Sequence, residues 1–175
     1  KTHFMQFELT KEFIDDVIKA IDEKNSDFLT KIIHPLHPAD IAEILDIVNL
    51  PQAQYLYRLL QEDLASDVLV EIEEDTRERF LTSLSTEEIA VSLDKMYADD
   101  ATDVIQDLPE DVQEEVLEAL KDDDLQSEIS QLLIYDEDSA GGIMDLDFIS
   151  ANWSWTVKNA LQKFREQVED VDQVY

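Results

Sequence analysis

Three consecutive stretches of the chain share one pattern: IAEILDIVNLPQ (41–52), AQYLYRLLQEDL (53–64) and ASDVLVEIEEDT (65–76). Each is twelve residues long, and apolar side chains occupy its first, fourth, fifth and eighth positions. Five more repeats follow in the same register, and the last begins at Leu125. Of the 32 positions so defined 28 are apolar, whereas the overall apolar content of 44% would give about 14.

Apolar side chains at this spacing lie on one face of a helix over two turns. Three helical turns take only about 10.8 residues, so a continuous helix would rotate its apolar face by about 120° in every repeat. Short helices separated by turns avoid this rotation, and Pro51 and Pro109 fall between the apolar stretches. The sequence therefore predicts eight short helices, each unstable alone, stacked as a superhelix.

Acidic residues mark the expected beginnings of these helices. Two residues before the repeat starts, six of the eight positions carry a carboxylate, where an N-cap or first-turn acid is favourable. These residues are Asp63, Asp75, Glu87, Asp99, Asp111 and Asp123.

The segments on either side of the repeat have different patterns. Residues 11–24 predict an amphipathic helix with Thr10 as its N-cap, and Ser26 is expected to cap a second short helix. Residues 134–142, IYDEDSAGG, contain both glycines of the chain and read as a linker.

Beyond this linker, Met144, Leu146, Phe148 and Ser150 alternate with their neighbours and predict a strand, and Thr156 is expected to cap a helix that reaches Val168. The sequence thus predicts a mainly α chain with a helical domain over 1–134, a linker over 135–142 and a truncated α/β unit over 143–175.

The charge of the chain restricts its partners. Forty-three acidic residues against 13 Lys and Arg give a formal net charge of −30, which repels nucleic acid and anionic membranes and favours cations or basic surfaces. The absence of Cys excludes disulfides and thiolate metal sites. No apolar run approaches the roughly 20 residues of a membrane span, and no signal peptide is visible. We expect a cytoplasmic fragment of a longer protein.

Catalytic motifs are missing from the sequence. It has no nucleophile elbow, no glycine-rich phosphate loop and no HExxH, so we do not expect an enzyme. His34 and His37 are spaced like metal ligands, but they alternate with prolines and are interpreted as a turn between helices. Trp153 and Trp155 are interpreted as core or interface residues of the C-terminal unit.

Three carboxylates form the candidate metal site. Asp99 and Asp103 are one helical turn apart, so they share a face and repel each other unless a cation lies between them. Asp67 has the register of Asp103, three repeats earlier. Equivalent positions of a solenoid can line one surface, which makes Asp67, Asp99 and Asp103 candidate ligands of a hard cation such as Mg²⁺, with Asp100 as a weaker candidate. The alternative is that Asp99 is a helix cap and the others are solvated surface acids.

Two segments resemble a known family. HPADIAEIL (37–45), the tandem short helices and YDEDSAGGIMDLDF (135–148) are similar to the cytosolic N-terminal region of MgtE-type magnesium channels. The family usually has Thr after the methionine of the second segment, where this chain has Asp145. The most specific matching residues are Tyr135, Glu137, Asp138, Ala140, Gly141, Gly142 and Met144.

This resemblance implies an architecture and a function. Members combine a superhelical N domain with two CBS domains, a connecting helix and a transmembrane pore domain, assembled as a homodimer. Intracellular Mg²⁺ bridges acidic residues between these parts and favours the closed pore. The family's N-domain ligands fall in an A-x-E/D-V-L and a D-D-x-x-D segment, here residues 65–69 and 99–103, which also implies Asp67, Asp99 and Asp103 as ligands. ATP, which binds CBS domains of the family, cannot be placed on these residues.

Two other functions remain open at this point. The first is a helical-repeat scaffold for protein interactions without divalent-ion sensing, since the flagellar motor switch protein has comparable short-helix repeats. The second is an acidic mimic of nucleic acid that binds basic proteins, for which no specific motif is present.

Overall fold

The computed structural model describes residues 9–136, 139–144, 146 and 149–167, and eleven helices lie within this part of the chain. The helices are α1 (Lys11–Asp22), α2 (Ser26–Ile33), α3 (Pro38–Ile47), α4 (Leu50–Tyr57), α5 (Glu62–Glu71), α6 (Glu74–Leu81), α7 (Thr86–Leu93), α8 (Ala98–Gln106), α9 (Glu110–Ala119), α10 (Asp123–Leu132) and α11 (Val157–Gln167).

Helices α3 to α10 are the eight helices that the repeat predicts, one for each twelve-residue unit. The repeat positions form their buried faces, as in α3, where Ile41, Ile44, Leu45 and the following Val48 are buried. Each helix has only 8 to 10 residues, too few to be stable alone. Their stability therefore comes from packing these faces against one another.

The helix beginnings also follow the sequence pattern. All six predicted acidic residues lie in the first turn of a helix, where they interact favourably with the helix dipole. Capping boxes at Asn49 with Gln52 and at Ser85 with Glu88 begin α4 and α7. Thr10 caps α1 as predicted, but Asn25 caps α2 and Ser26 is its first residue. The Asn25 side chain accepts a hydrogen bond from the N–H of Phe28.

Contacts divide the chain into two compact units. The first comprises Lys1–Met96 and Val104–Lys121, and the second comprises Tyr97–Asp103 and Asp122–Tyr175. Helix α8 begins in the second unit, and its last three residues, 104–106, belong to the first. The predicted domain limits at 134 and 142 stay a prediction.

Helices two apart in the chain pack on each other in the first unit. Helix α3 packs on α5, α5 on α7 and α7 on α9, and α4 packs on α6. The first of these rows starts its helices at Pro38, Glu62, Thr86 and Glu110, each 24 residues after the last. The sequence repeat is therefore one helix long, whereas the structural repeat is a pair of helices.

One polar position of the repeat is occupied by Ser92, which is buried at 4% exposure. Its hydroxyl lies 2.7 Å from the hydroxyl of Tyr57 on α4, and its backbone oxygen accepts a hydrogen bond from Ser66 on α5 at 2.8 Å. The Tyr57 ring also meets Phe80 of α6 edge to face, with centroids 5.0 Å apart. Ser92 thus connects three helices, because the buried hydroxyls and carbonyl satisfy one another.

A second polar position is Arg77 on α6, which forms an ion pair with Asp107 just after α8. Its Nε lies 2.5 Å from Asp107 Oδ2, and Nη1 donates a hydrogen bond to the carbonyl of Val70 at 3.2 Å. Only 13% of the Arg77 side chain and 11% of the Asp107 side chain are exposed. The charge at this apolar position is therefore neutralised within the fold.

The C-terminal segment contains a helix but no strand in its described part. Helix α11 begins where predicted, with the N–H of Asn159 donating to Thr156 Oγ1 at 3.3 Å, and the predicted end at Val168 lies outside the described residues. Residues 144, 146, 149 and 150 are not in a strand, and 145, 147 and 148 lie outside the described residues. A single strand without a partner leaves its backbone groups unpaired, so the α/β unit stays a prediction.

Both tryptophans of this segment are exposed, Trp153 at 95% and Trp155 at 42%. They are not core residues of the described chain, because no second layer covers them there. Separately, none of the helices among the described residues is both long enough and apolar enough to span a bilayer.

The burial of Tyr57 predicts that the protein loses stability at alkaline pH. Burial raises the pKa of Tyr57 to about 12, and the nearby Glu88 carboxylate adds to this rise. The contribution of the neutral Tyr57 hydroxyl to the free energy of unfolding is complete below the unfolded pKa near 10. It is lost as the pH rises towards 12, which lowers the free energy of unfolding by roughly 3 kcal/mol. Urea unfolding between pH 9 and 12 should show this loss in the wild type but not in Tyr57→Phe. The same substitution at Tyr55, on the same helix, should leave the loss unchanged.

The buried ion pair predicts an asymmetric mutational response. Arg77→Met leaves the Asp107 carboxylate buried without its cation and should lower the free energy of unfolding by about 3 kcal/mol. The double variant Arg77→Met/Asp107→Leu should recover most of this loss, since both charges are removed. Urea denaturation at pH 7 measures both, and equal stability of the two variants would contradict the pairing.

Candidate functional site

Asp67 lies on the solvent side of α5. The opposite side of this helix buries Ala65, Ser66, Val68 and Leu69. Ser66 Oγ is 2.9 Å from the Glu62 carbonyl on its own helix and 2.8 Å from the Ser92 carbonyl on α7. Because α5 is held against α7 in this way, the Asp67 carboxylate is left exposed.

Asp99 and Asp103 lie one turn apart on α8, as predicted. The buried residues on this helix are Ala98, Ala101 and Thr102 within the second unit, and Thr102 Oγ1 donates to the Ala98 carbonyl at 2.6 Å. Asp99 is half-buried in the first turn, where the helix dipole favours a carboxylate, and Asp103 is exposed. The shared face anticipated from the sequence is thus present, whereas Asp99 is the second residue of α8 and not its N-cap.

The three aspartates do not all belong to one unit. Asp67 lies in the first unit, whereas Asp99 and Asp103 lie in the second. The common register of Asp67 and Asp103 fixes the face of each helix that carries the carboxylate, but it does not by itself place the two side chains together. The common site therefore stays a prediction.

The chemistry of these carboxylates suits Mg²⁺, but a complete site is not preformed. Within the part of the chain that the structure describes, no group of three or more His, Asp or Glu side chains could hold a metal ion. Mg²⁺ commonly keeps several waters and is bound through only one or two protein carboxylates. These residues can therefore supply part of a coordination shell.

The histidines and the acidic turns have structural roles. His37 Nδ1 accepts a hydrogen bond from the N–H of Ala39 and so caps α3, and His34 is the C-cap of α2. This confirms their interpretation as a turn. Asp122 Oδ1 accepts hydrogen bonds from the N–H groups of Asp124 and Leu125 and caps α10. The sequence analysis did not assign this cap, because Asp122 is followed by two more aspartates that could serve equally well.

The glycine-containing turn has a packing reason for one of its glycines. A Cβ atom added to Gly141 would overlap the ring of Tyr135, the first residue of the motif. The N–H of Gly142 donates to the carbonyl of Ser139 at 3.0 Å and closes the turn. Tyr135 and Gly141 are therefore a matched pair within this motif.

The fold and these motifs agree with comparisons to known families. A family model described as the MgtE intracellular N domain matches residues 36–138. That stretch is more than half of the chain, so the chain belongs to the MgtE intracellular N domain family. Membership confirms the resemblance drawn from the sequence motifs and the expected intracellular location.

Solved structures show the same fold. One is the soluble part of a magnesium transporter, with 23% identity, a TM-score of 0.74 and coverage of 94% of this chain and 65% of that chain. Another is the cytosolic domain of the Mg²⁺ channel MgtE in complex with ATP, with 23% identity, a TM-score of 0.77 and coverage of 93% and 66%. This chain thus spans about two thirds of each. No curated protein sequence matches it.

The contact between Tyr135 and Gly141 predicts that mutations at the two positions have non-additive effects on the stability of the turn. Gly141→Ala should destabilise the turn by about 1 kcal/mol, because the tyrosine ring must move to admit the methyl group. In a Tyr135→Ala background the same change should cost little, and amide hydrogen exchange over residues 135–142 measures both. Additive effects in this double-mutant cycle would refute the contact.

Proposed function

We propose that this chain is the Mg²⁺-sensing regulatory domain of a magnesium transporter or channel. The match of residues 36–138 to the MgtE intracellular N domain carries the proposal, since that stretch contains all three candidate ligands. In this proposal Asp67, Asp99 and Asp103 bind Mg²⁺ together with acidic residues of the CBS domains and the connecting helix. The bound ions favour the closed state of the pore.

The exposure of the carboxylates supports this role. Asp67 and Asp103 are exposed and Asp99 is half-buried, on helices whose buried faces are apolar or hydrogen-bonded. Such carboxylates can meet ligands from another domain without unfolding their own. Because the described residues hold no complete metal cluster, the sites should be weak until those other domains approach.

The charge of the chain supports a switch between two states. A net charge of −30 makes it costly to bring this chain against other acidic domains. Divalent ions between the domains remove that repulsion only in the compact state. A ligand that binds one state better shifts the equilibrium towards it, so high Mg²⁺ favours the compact, closed arrangement. The partners are the remaining domains of the same protein, as a homodimer.

A Mg²⁺ titration of the chain extended through both CBS domains and the connecting helix tests this function. Calorimetry and small-angle scattering at fixed ionic strength should show saturable heat and compaction that K⁺ does not reproduce. Asp67→Asn, Asp99→Asn and Asp103→Asn should each weaken the apparent affinity severalfold, because each removes one charged ligand.

Matched controls separate binding from a general loss of charge. Asp111→Asn changes a first-turn acid of α9 in the register of Asp99, and Glu115→Gln changes an exposed acid in the register of Asp67 and Asp103. Both should behave as the wild type. Compaction that is equally sensitive to all five variants, or equally produced by K⁺, would mean that the ions only screen charge. The helical-repeat scaffold with a basic protein partner would then be favoured.

A further inference from the structure

The Arg77 guanidinium on α6 links the ends of two other helices. Its Nε donates to Asp107 Oδ2 at 2.5 Å, and its Nη1 donates to the carbonyl oxygen of Val70 at 3.2 Å. Val70 lies in the last turn of α5, and Asp107 directly follows the last residue of α8. All three residues belong to the first unit. One side chain thus joins the end of α5 to the end of α8.

The two linked helices carry two of the proposed Mg²⁺ ligands. Asp67 lies three residues before Val70 on α5, and Asp103 lies four residues before Asp107. Residues three or four apart in a helical segment are separated by about one turn. Each of these carboxylates is therefore about one turn from the point at which Arg77 holds its helix.

The bonds that Arg77 makes are directional and shielded from water. Both side chains of its ion pair with Asp107 are nearly buried. A hydrogen bond from a charged donor is strong, and the donors of a guanidinium have a fixed planar arrangement. The Val70 carbonyl is among the last four of its helix, which have no partner within a helix. The link therefore fixes the direction in which the two helix ends meet α6.

Stability alone does not require a charge at this position. Arg77 opens one of the twelve-residue repeats, at a position where six of the eight repeats have an apolar residue. Apolar residues of similar volume often replace a buried ion pair without loss of stability. They do not supply directional bonds, so the property that depends on the pair is the placement of the helix ends.

We propose that Arg77 is a positioning residue for Mg²⁺ binding, because it holds the ends of α5 and α8 in place while Asp67 and Asp103 bind the ion. This inference rests on the function proposed above. Mg²⁺ demands nearly octahedral geometry with short bonds, so its affinity falls when the helices that carry its ligands shift. Arg77 itself does not bind Mg²⁺, since like charges repel.

The test is a calorimetric Mg²⁺ titration of the chain extended through both CBS domains and the connecting helix, at pH 7 and fixed ionic strength. Arg77→Met removes a positive charge, so electrostatics alone would strengthen Mg²⁺ binding. Loss of positioning should instead weaken it severalfold.

The double variant Arg77→Met/Asp107→Leu separates positioning from stability. It has the net charge of the wild type, and its stability is expected to recover because neither charge is left buried alone. It should nevertheless bind Mg²⁺ severalfold more weakly than the wild type, since the link between the helix ends is absent. Urea denaturation checks that each variant is folded.

Arg58→Met is a matched control. It removes the same charge from the first unit and breaks the ion pair with Glu88, in which Arg58 Nε lies 2.7 Å from Glu88 Oε1. Neither α4, which Arg58 follows, nor α7, which contains Glu88, carries a proposed ligand. This variant should therefore not weaken Mg²⁺ binding.

The outcomes distinguish the positioning role from the proposed function. Wild-type affinity in the double variant, or equal weakening by Arg58→Met, would overturn the positioning role and leave the proposed function intact. A wild-type chain that shows no saturable heat with Mg²⁺ would overturn the proposed function and this inference with it.

Discussion

The repeat of twelve residues does not match the helical period of 3.6 residues, and this mismatch decides that the chain folds as separate short helices. A helix that continued through the repeat would turn its apolar face away from the core within one unit. The chain therefore ends each helix after 8 to 10 residues and begins the next one in a new direction. Caps such as Asn49 and Ser85 make those beginnings definite, and contact between neighbouring apolar faces supplies the stability that a short helix lacks.

Polar groups inside this packing are paired across helices. Ser92 and Tyr57 share a hydrogen bond, and Arg77 and Asp107 form a nearly buried ion pair. The two pairs join residues 35 and 30 positions apart, so they fix how non-adjacent helices meet. Removing one partner leaves the other polar group buried without compensation and lowers the stability of the fold. An arrangement of the helices that separated the partners would have the same cost. Asp46 Oδ1 differs from them because it is buried without a partner.

The acidic residues thus fall into two groups with different physical consequences. Exposed carboxylates such as Asp67 and Asp103 repel other acidic surfaces and can exchange water for a divalent ion. Buried or half-buried ones are influenced by their surroundings: the helix dipole favours the Asp99 carboxylate, and burial raises the pKa of Asp46. A large negative charge alone would not distinguish them, since the difference lies in exposure.

The sequence by itself determined the eight helices, their first-turn acids and the family, because helix formation is read from spacing, caps and turn residues close together in the chain. It also placed Asp99 and Asp103 on one face. Only the tertiary structure decided that packing repeats every 24 residues, that Arg77 pairs with Asp107, and that Asp46 is partly buried. These features join residues far apart in the chain, and a local pattern does not state which helices become neighbours. The prediction for Asp67 depended on that missing information, since equal register fixes a face of a helix but not its neighbour.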